Sequence, residues 1–401
     1  MDYPTEKIRI GFHYHTPARE DKGILLFHGP IGVFIDGLAE HCEEITCFLH
    51  SPNLEETPPL DFPIQSPNVR LVDLGARGSI LQRHLHIHRY TTVLRNHISD
   101  LDILLIRGPS PLLPGMVHAA KGIPVALLIV GDYLESAMFE YDQPGWRRAL
   151  IKMWAYRYQQ QQLQAARRSL VFVNTHKLFH QLEYQIPHLI ETRTTTLHAG
   201  DFFERTDTCQ GTPIRLLFTG RIEYQKGLFF ILEALEHLVN NGFDVILDLA
   251  GWSPSNDTFI KQLQNSIAVK GLQERVIYHG FLPLGEPLFN LYRQADIYII
   301  GSLSSFEGFP RTIWEAMAHS LPVVATRVGS IPDYISGAAE LIEPGSAVAL
   351  SEAVQRLLDN PYLRREYIRQ GMKLARENTI ETRSAEMAAE LQKWVARCLN
   401  L

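Results

Sequence analysis

Two glutamates, Glu307 and Glu315, lie eight positions apart in the stretch SSFEGFPRTIWEAMAHSLPVVATRVGS, residues 304–330. Glu307 is in a loop beside glycine and proline, whereas Glu315 falls inside a predicted helix. Eight residues of helical rise span about 12 Å, roughly the reach from a hexose to a ribose across a diphosphate. Glu307 could therefore accept hydrogen bonds from sugar hydroxyls, and Glu315 from the vicinal hydroxyls of a ribose. The alternative is that both carboxylates only cap or solvate a helix.

The start of this helix is suited to an anion. Pro310 fits the first helical position, where its missing N–H costs nothing. The next backbone amides, those of Arg311 and Thr312, are then free to face a negative charge.

A second candidate for anion binding is the stretch FTGRIEYQKGL, residues 218–228. Gly220 permits a tight turn after a predicted strand, and Lys226 and Gly227 open a helix. Arg221, Lys226 and the helix N-terminus could together hold a diphosphate through charge-assisted hydrogen bonds and the helix dipole. A solvated loop with two surface cations explains this stretch equally well by itself.

The elements that must position these side chains are short apolar runs alternating with longer amphipathic stretches. Continuous aliphatic runs without polar alternation indicate parallel strands covered on both faces. The first series of predicted strands is Ile8–Phe12, Ile45–Leu49, Ile103–Ile106, Val125–Val130 and Leu170–Val173. The second series is Ile214–Phe218, Val245–Leu249, Val276–Tyr278, Ile297–Ile300, Pro322–Ala325 and Glu340–Ile342.

Two such series predict an α/β protein with two Rossmann-like, doubly wound domains, with ligands bound in a cleft at the carboxyl ends of the strands. A length of 401 residues is also too long for one ordinary core. A polar stretch at 201–213 lacks a hydrophobic period, so we predict domains at 1–205 and 206–375. The last segment, 376–401, is predicted to be an amphipathic helix from Ile380.

Four motifs in the second half resemble family 4 (group 1) retaining glycosyltransferases, which have the GT-B fold. EGFPRTIWEA resembles the Glu-x7-Glu motif of that family, and FTGRIEYQKG its diphosphate loop. LPVVATRVGSIPD resembles a third motif, with Ser320 and Ser330 where glycine is more usual. HGFL, His279–Leu282, matches a turn that the family places against the nucleobase. The resemblance covers most of residues 214–375 in the expected order.

The resemblance implies transfer of a sugar from a nucleoside-diphosphate sugar with retention of anomeric configuration. Arg221 and Lys226 would neutralise the departing diphosphate, Glu307 would grip the donor sugar, and Glu315 the ribose. It implies no cofactor and no metal, because the two cations and the helix dipoles take that role. It also implies that the terminal helix crosses back to the first domain. The donor-binding residues would be Gly32, Gly220, Gly280, Phe281, Gly308, Phe309, Arg311, Thr312 and Glu315.

The first domain resembles this glycosyltransferase family less closely than the second does. The family has a Gly-Gly turn after its first strand, and HGPIGVF offers Gly29 and Gly32 as equivalents; a structural turn glycine explains Gly32 nearly as well. Many relatives have a histidine after the strand Val125–Val130, where this chain has Gly131 and Asp132. Asp132 could take over the polar contact to the acceptor hydroxyl, or another residue could fill the site.

The first domain also contains features that could be mistaken for metal sites. Asp100-Leu101-Asp102 runs straight into a predicted strand, so we interpret it as a strand-entry turn. His84, His86 and His88 form a tract in which only His84 and His88 would share a helical face, and no third ligand is evident. A solvated basic helix is the better interpretation.

A membrane surface is a candidate partner for the predicted helix at 145–169. Between Asp142 and Glu183 there are seven Lys or Arg and no acid, interleaved with Trp146, Trp154 and Tyr156. Such helices can rest on anionic membranes, which would suit a lipid-linked acceptor. An ordinary domain helix with inward aromatics is the somewhat better interpretation.

Composition limits the other partners and the setting. A net charge of −6 gives no reason to expect nucleic-acid binding. Four scattered cysteines without a CxxC pair suit a reducing cytosol, and no apolar run is long enough to span a membrane. We therefore predict a cytoplasmic glycosyltransferase, either free or peripheral at the inner membrane face, acting on a glycan or lipid-linked acceptor in surface polysaccharide or glycolipid synthesis. The alternative is a non-catalytic nucleotide-sugar-binding partner subunit of a transferase.

Overall fold

The computed structural model describes residues 7–52, 60–131, 145–253, 258–304 and 308–399, without the side chains of 145–148. The chain divides into two compact units. Unit 1 comprises Met1–Thr194 together with Ile380–Leu401, and unit 2 comprises Thr195–Thr379.

The described part of unit 1 is built on a parallel sheet of seven strands with the order β10-β9-β8-β7-β1-β4-β6. Strands β2, β3 and β5 fall between strands of this sheet along the chain and form a separate, small antiparallel sheet in the order β2-β3-β5. The strands are β1 Arg9–Pro17, β2 Arg19–Asp21, β3 Ile24–Phe27, β4 Glu44–Ser51, β5 Phe62–Pro63, β6 Val69–Ala76, β7 Ile103–Gly108, β8 Val125–Ile129, β9 Leu170–Val173 and β10 Leu189–Glu191. The helices are α1 Gly29–Ala39, α2 Ile80–Leu85, α3 Ile87–Arg95, α4 Leu113–Ala119, α5 Gly145–Ala166 and α6 His176–Leu182.

Unit 2 has a parallel sheet of six strands with the order β13-β12-β11-β14-β15-β16. The strands are β11 Ile214–Thr219, β12 Val245–Ala250, β13 Val276–Gly280, β14 Ile297–Ile300, β15 Val323–Thr326 and β16 Glu340–Ile342. The helices are α7 Leu228–Asn240, α8 Thr258–Val269, α9 Glu286–Gln294, α10 Arg311–Ala318, α11 Ile331–Ile335, α12 Ala347–Asp359 and α13 Pro361–Arg376.

The last helix, α14 Ile380–Leu399, belongs to unit 1. Its apolar face contributes Met387, Leu391 and Val395 to the unit 1 core. A Cβ at Gly37 of α1 would lie 2.6 Å from the Ile380 side chain, so the missing side chain lets the two helices pack closely. The predicted return of the terminal helix to the first domain is confirmed.

The strand order is the same in both units. Counting the strands of each parallel sheet along the chain, both sheets read 3-2-1-4-5-6, and unit 1 adds a seventh strand at the end. This is the doubly wound order in which ligands bind where the order reverses, between strands 1 and 4. The predicted fold class of two Rossmann-like domains is confirmed.

The chain passes between the units earlier than the predicted boundary at 205. Unit 2 begins at Thr195, because the segment that follows packs into its core. Leu197 is fully buried there, and the Thr196 hydroxyl donates to the Glu315 carboxylate at 2.8 Å. These residues are polar or isolated in sequence, so no hydrophobic period marked them.

Several local predictions need correction. Strand β1 continues past Phe12 through polar residues to Pro17. Strand β6 was not predicted, because its buried and exposed residues alternate without a clear apolar run. The histidine tract is not one helix, because His86 ends α2 and begins α3. Pro310 is the N-cap residue of α10 in an extended conformation, and Arg311 is the first helical residue.

Candidate functional site

Glycines stand at the carboxyl ends of four neighbouring strands of the unit 2 sheet. Gly280 ends β13, and Gly251, Gly220 and Gly301 directly follow β12, β11 and β14. The Gly251 amide donates to the Gly280 carbonyl at 2.8 Å, and the Gly220 amide donates to the Ala250 carbonyl at 3.0 Å. A Cβ at Gly251 would lie 1.7 Å from the Gly220 carbonyl oxygen. At this edge, the backbone at the end of one strand therefore packs directly against the backbone at the end of the next.

The same close packing joins β11 and β14, the pair where the strand order reverses. Gly227, at φ +68°, is the N-cap of α7, and a Cβ there would lie 1.9 Å from the Gly301 carbonyl oxygen. The Leu303 amide donates to the Gln225 carbonyl at 2.8 Å. The basic loop at 220–227 and the segment after β14 are thereby held together at the switch point.

Two cations belong to this loop. The Arg221 side chain is exposed, and its guanidinium lies 3.1 Å from the carboxylate of Glu223 in the same loop. Lys226 is only 7% exposed. The N-cap of α7 is Gly227, which has no side chain to accept from the first turn, and the Phe230 amide donates to the Gly227 carbonyl at 3.0 Å. The first two amides of the helix, those of Leu228 and Phe229, can be offered to an anion. The predicted residues Gly220, Arg221 and Lys226 thus come together at the place where an anionic ligand is expected.

Glu315 lies on α10 and is 5% exposed. Its Oε1 accepts from the Thr196 hydroxyl and its Oε2 from the Tyr292 hydroxyl, both at 2.8 Å. Tyr292 also bonds Thr219 at 2.6 Å, and burial, followed by the Glu315 charge, raises the pKa of Tyr292 well above its ordinary value. A buried charge needs such donors. The carboxylate keeps further lone pairs for a ribose, and that role remains a prediction.

The start of α10 is fixed by aromatic packing. The Phe309 ring lies 4.3 Å from Trp314 and 5.3 Å from Tyr334, measured between ring centroids. Thr312 accepts from the Tyr298 hydroxyl at 2.6 Å. Among the described residues, a Cβ at Gly308 would meet nothing within 4 Å, so their packing does not require glycine there.

The turn predicted to face a nucleobase is open to solvent. Gly280 has φ +70°, which favours glycine, and Phe281 is exposed. A polar group beside this turn was not predicted: buried Asp248 accepts from Arg215 at 2.8 Å and from His279 at 2.7 Å. The missed glycines Gly251 and Gly301 had a visible signal, since each directly follows an apolar strand.

Of the remaining predicted residues, two lie outside the described part of the chain and one lies in unit 1. Glu307 and Asp132 lie outside the described residues, so their predicted roles stay predictions. Gly32 lies within α1, and a Cβ there would lie 2.1 Å from the Phe62 ring. Packing therefore accounts for glycine at this position, and its contact with a donor stays a prediction.

Asp102, of the Asp-x-Asp sequence, belongs to the start of the unit 1 sheet. It accepts from the Arg9 amide at 2.7 Å and from the Arg9 guanidinium at 2.8 Å. It joins β1 to β7, in agreement with a strand-entry turn. Within the described ranges, no three His, Cys, Asp or Glu side chains are grouped so that they could hold a metal ion, and no helix is long and apolar enough to cross a membrane.

Comparison with known proteins agrees with the motifs of unit 2. Residues 203–374 match the family model described as glycosyl transferases group 1. An uncharacterized glycosyltransferase of Methanocaldococcus jannaschii is 29% identical over 168 residues, 41% of each chain. The amylovoran biosynthesis glycosyltransferase AmsK of Erwinia amylovora is 32% identical over 151 residues, 36% of each chain. These matches span about two fifths of the curated relatives.

Solved structures agree over the whole chain. The Anabaena protein HepE, solved in complex with UDP-glucose, has a TM-score of 0.71 at 14% identity, covering 96% of this chain and 100% of its own. Such low identity shows the fold alone. The chain therefore has the GT-B fold, and its residues 203–374 form a glycosyltransferase group 1 domain.

Proposed function

We propose that this protein is a glycosyltransferase that moves a sugar from a nucleoside-diphosphate sugar to a glycan or lipid-linked acceptor, with retention of configuration and without a metal. The observation that carries the proposal is the basic loop at the β11–β14 switch point. There Arg221, Lys226 and the uncapped N-terminus of α7 stand together, in the domain that matches group 1 glycosyltransferases.

In this reaction the bond between the sugar C1 and the diphosphate oxygen breaks, and its electron pair leaves with the diphosphate. The acceptor hydroxyl bonds to C1 on the face that the diphosphate leaves, and its proton passes to the departing diphosphate oxygen. Arg221 and Lys226 stabilise the charge that develops on the leaving group. Glu315 holds the ribose, and Gly280 and Phe281 border the base.

Two further residues complete the proposed site. Glu307 holds the donor sugar, and Asp132 takes the polar contact to the acceptor hydroxyl. HepE was solved with UDP-glucose and AmsK is named for amylovoran synthesis. A uridine nucleotide is therefore the first donor to test, and a surface polysaccharide or glycolipid is the proposed product.

Calorimetric titration with UDP, GDP and ADP in excess chelator tests the donor site. We expect one nucleotide to bind and Arg221→Ala to weaken it by about 1.5 kcal/mol, roughly tenfold, for a lost charge-assisted hydrogen bond. Arg369→Ala is the matched control, because Arg369 is an exposed arginine paired with Glu366 on α13 at 2.7 Å. Binding without measurable sugar transfer would favour the partner-subunit alternative, and no binding would end the proposal.

Stereochemistry and metal dependence are tested on the active enzyme. Proton NMR of the first product should give the same anomeric configuration as the donor, and chelator should leave the rate unchanged. An inverted product or a rate abolished by chelator would contradict the retaining, metal-independent assignment.

We also propose that unit 1 contacts an anionic membrane surface through α5, at the cytoplasmic face. Leu150, Met153 and Tyr156 are 51%, 54% and 56% exposed, and exposed Lys152 and Arg157 lie among them. Trp154 and Tyr158 instead stack against each other with ring centroids 5.9 Å apart. Apolar groups beside cations suit an interfacial helix.

Co-sedimentation with phosphatidylglycerol vesicles tests this contact. We expect the wild-type protein to bind and Met153→Ser together with Lys152→Gln to weaken the binding severalfold. Exposed Val269→Ser, on α8 of unit 2, is the control. Equal sedimentation of all three proteins would contradict the membrane contact.

A further inference from the structure

The carboxyl edge of the unit 1 sheet carries histidine and arginine at its switch point. His13 on β1 lies in register with Ile106 on β7 and with Phe48 on β4. The residues that follow these positions therefore end up at one edge. They are His15 on β1, His50 on β4 and Arg107 on β7. In doubly wound sheets this edge is where ligands bind.

Direct contacts hold these side chains in place. His13 Nδ1 lies 2.9 Å from the Phe48 carbonyl and its Nε2 lies 3.2 Å from the Ser110 hydroxyl. The Tyr14 ring lies 4.2 Å from the His15 ring and 5.0 Å from the Arg107 guanidinium carbon. The edge is therefore ordered by packing.

Three nitrogens at this edge are buried and lack a hydrogen-bond partner in the described part of the chain. They are His15 Nδ1, His50 Nε2 and Arg107 Nε, one from each of three strands. Buried polar atoms without partners are rare in folded proteins, and each calls for an explanation. Three of them at a switch point indicate a ligand that carries several acceptor atoms.

The surrounding charge is predominantly positive. The charged and titratable groups that act on His13, His15 and His50 are Arg77 after β6, Arg83 on α2, Arg107 on β7 and Asp73 on β6. Asp73 already accepts from the Ser51 hydroxyl at 2.6 Å and from the Gly75 amide at 2.7 Å. Burial first, and then the neighbouring cations, lower the pKa of His15 to about 3. The imidazole is therefore neutral at neutral pH, and a bound anion would raise its pKa.

We propose that this edge binds a phosphate group of the acceptor substrate, held by His15, His50 and Arg107. A phosphate offers several acceptor oxygens in a tetrahedral arrangement, which suits groups arriving from three strand ends. Because His50 Nδ1 lies 3.1 Å from the Gly75 carbonyl, its Nε2 donates to the phosphate only when the imidazole takes up a proton. This inference rests on the proposed transferase function, because it assigns the acceptor to a phosphate-bearing class.

The phosphate could belong to a soluble sugar phosphate or to a lipid. Arg83, which faces the histidines, shares α2 with the exposed side chains of Leu81 and Leu85. The next residue, His84, packs edge-on against Trp154 of α5, with ring centroids 5.1 Å apart. The exposed apolar residues of α2 and α5 thus belong to neighbouring helices beside the proposed phosphate site.

The test uses inorganic phosphate as the probe, measured by calorimetry on the Arg221→Ala protein so that the donor loop contributes little. We expect phosphate to bind, and His15→Gln and Arg107→Gln each to weaken it about tenfold or more. Exposed His88→Gln on α3 is the matched control and should change nothing. No phosphate binding, or binding that His15→Gln leaves unchanged, would overturn the inference. His15→Gln keeps the test valid if Arg107→Gln fails to fold.

A second arm identifies the source of the phosphate. Phosphatidylcholine vesicles with and without polyprenyl phosphate are sedimented with the full chain and with His15→Gln. Retention that requires both the lipid phosphate and His15 supports a lipid-borne phosphate. Binding of inorganic phosphate alone supports a soluble phosphorylated acceptor.

The pH dependence gives an independent readout. Sulfate keeps its charge between pH 5.5 and 7.5, so only the protein titrates. We expect its affinity to rise as the pH falls, by up to about tenfold per pH unit when one proton is taken up on binding. A sulfate affinity independent of pH would contradict ligation by these histidines.

The two proposals fail in different ways. Nucleoside diphosphate binding should be unchanged in His15→Gln. Loss of phosphate binding with intact nucleotide binding ends only this inference. Failure of the wild-type protein to bind any nucleoside diphosphate ends the proposed function, and with it the assignment of the phosphate to an acceptor.

Discussion

The two parallel sheets share one strand order, but the residues at their carboxyl edges are chemically different. At the carboxyl edge of unit 2, Gly280, Gly251, Gly220 and Gly301 bring backbone against backbone. At the corresponding edge of unit 1, the polar side chains of His15, His50 and Arg107 stand at the strand ends. Topology therefore sets where a ligand approaches, and the residue type at each strand end sets which groups meet it.

The difference has an energetic consequence. An edge built from close backbone contacts leaves no space for a side chain, and positive φ angles add strain to any residue other than glycine. An edge built from side chains accepts substitution more easily, but the protonation of its buried histidines changes with pH. We therefore expect unit 2 to be destabilised most by added side-chain atoms at its glycine edge, and unit 1 by acidification.

The largest expected effect is that of a single methyl group at the glycine edge. Gly251→Ala places a Cβ 1.7 Å from the Gly220 carbonyl oxygen at φ +152°. We expect the free energy of unfolding to fall by about 3 to 5 kcal/mol, from overpacking and backbone strain together. Urea unfolding followed by fluorescence measures it.

The control for this substitution lies in the same unit. Gly242→Ala also has a positive φ, +86°, but a Cβ there meets nothing within 4 Å. We expect a loss of only about 1 kcal/mol. If both substitutions cost the same, close backbone packing does not explain the glycine edge.

A smaller effect should appear on acidification and should be concentrated in unit 1. Burial lowers the pKa of His13 and of His15 to about 3, so between about pH 6.5 and 3 the unfolded chain binds more protons. Stability then falls as the pH falls through this window. His15→Gln removes one such group and should reduce the loss between pH 6.5 and 5.0 by about 2 kcal/mol.

The comparison within unit 2 is His319, whose pKa burial lowers to about 4. Its pKa lies about one unit above that of His15, so over the range from pH 6.5 to 3 His319→Gln should reduce the loss of stability by about 1 kcal/mol less than His15→Gln does. Urea unfolding at several pH values measures both. Equal effects down to pH 3 would show that the two units do not differ in proton linkage.

The smallest of these effects concerns the buried carboxylate of unit 2. Tyr292→Phe removes the hydroxyl that donates to Glu315 at 2.8 Å, and we expect a loss of about 1 to 2 kcal/mol. Exposed Tyr362→Phe should change nothing measurable. A neutral Tyr292→Phe would mean that Glu315 does not need this donor, and would leave its oxygens available for a ribose.

Much of the fold could be predicted from local pattern. The strands Leu170–Val173, Ile297–Ile300 and Glu340–Ile342 agree with their predicted bounds, because continuous apolar runs between turn residues indicate buried parallel strands. The polar end of β1 and the edge strand β6 could not be found this way, since their burial depends on neighbours distant in the chain.

The sequence by itself determined the class of the domains, most strands of the two parallel sheets, and the loop of Gly220, Arg221 and Lys226, because these depend on residues close in the chain. Only the tertiary structure decided that Thr196 and Tyr292 hold Glu315, and that His15, His50 and Arg107 share one edge. Those contacts join residues tens of positions apart, and strand order and register bring them together. No local hydrophobic pattern in the sequence predicts the strand order or the register.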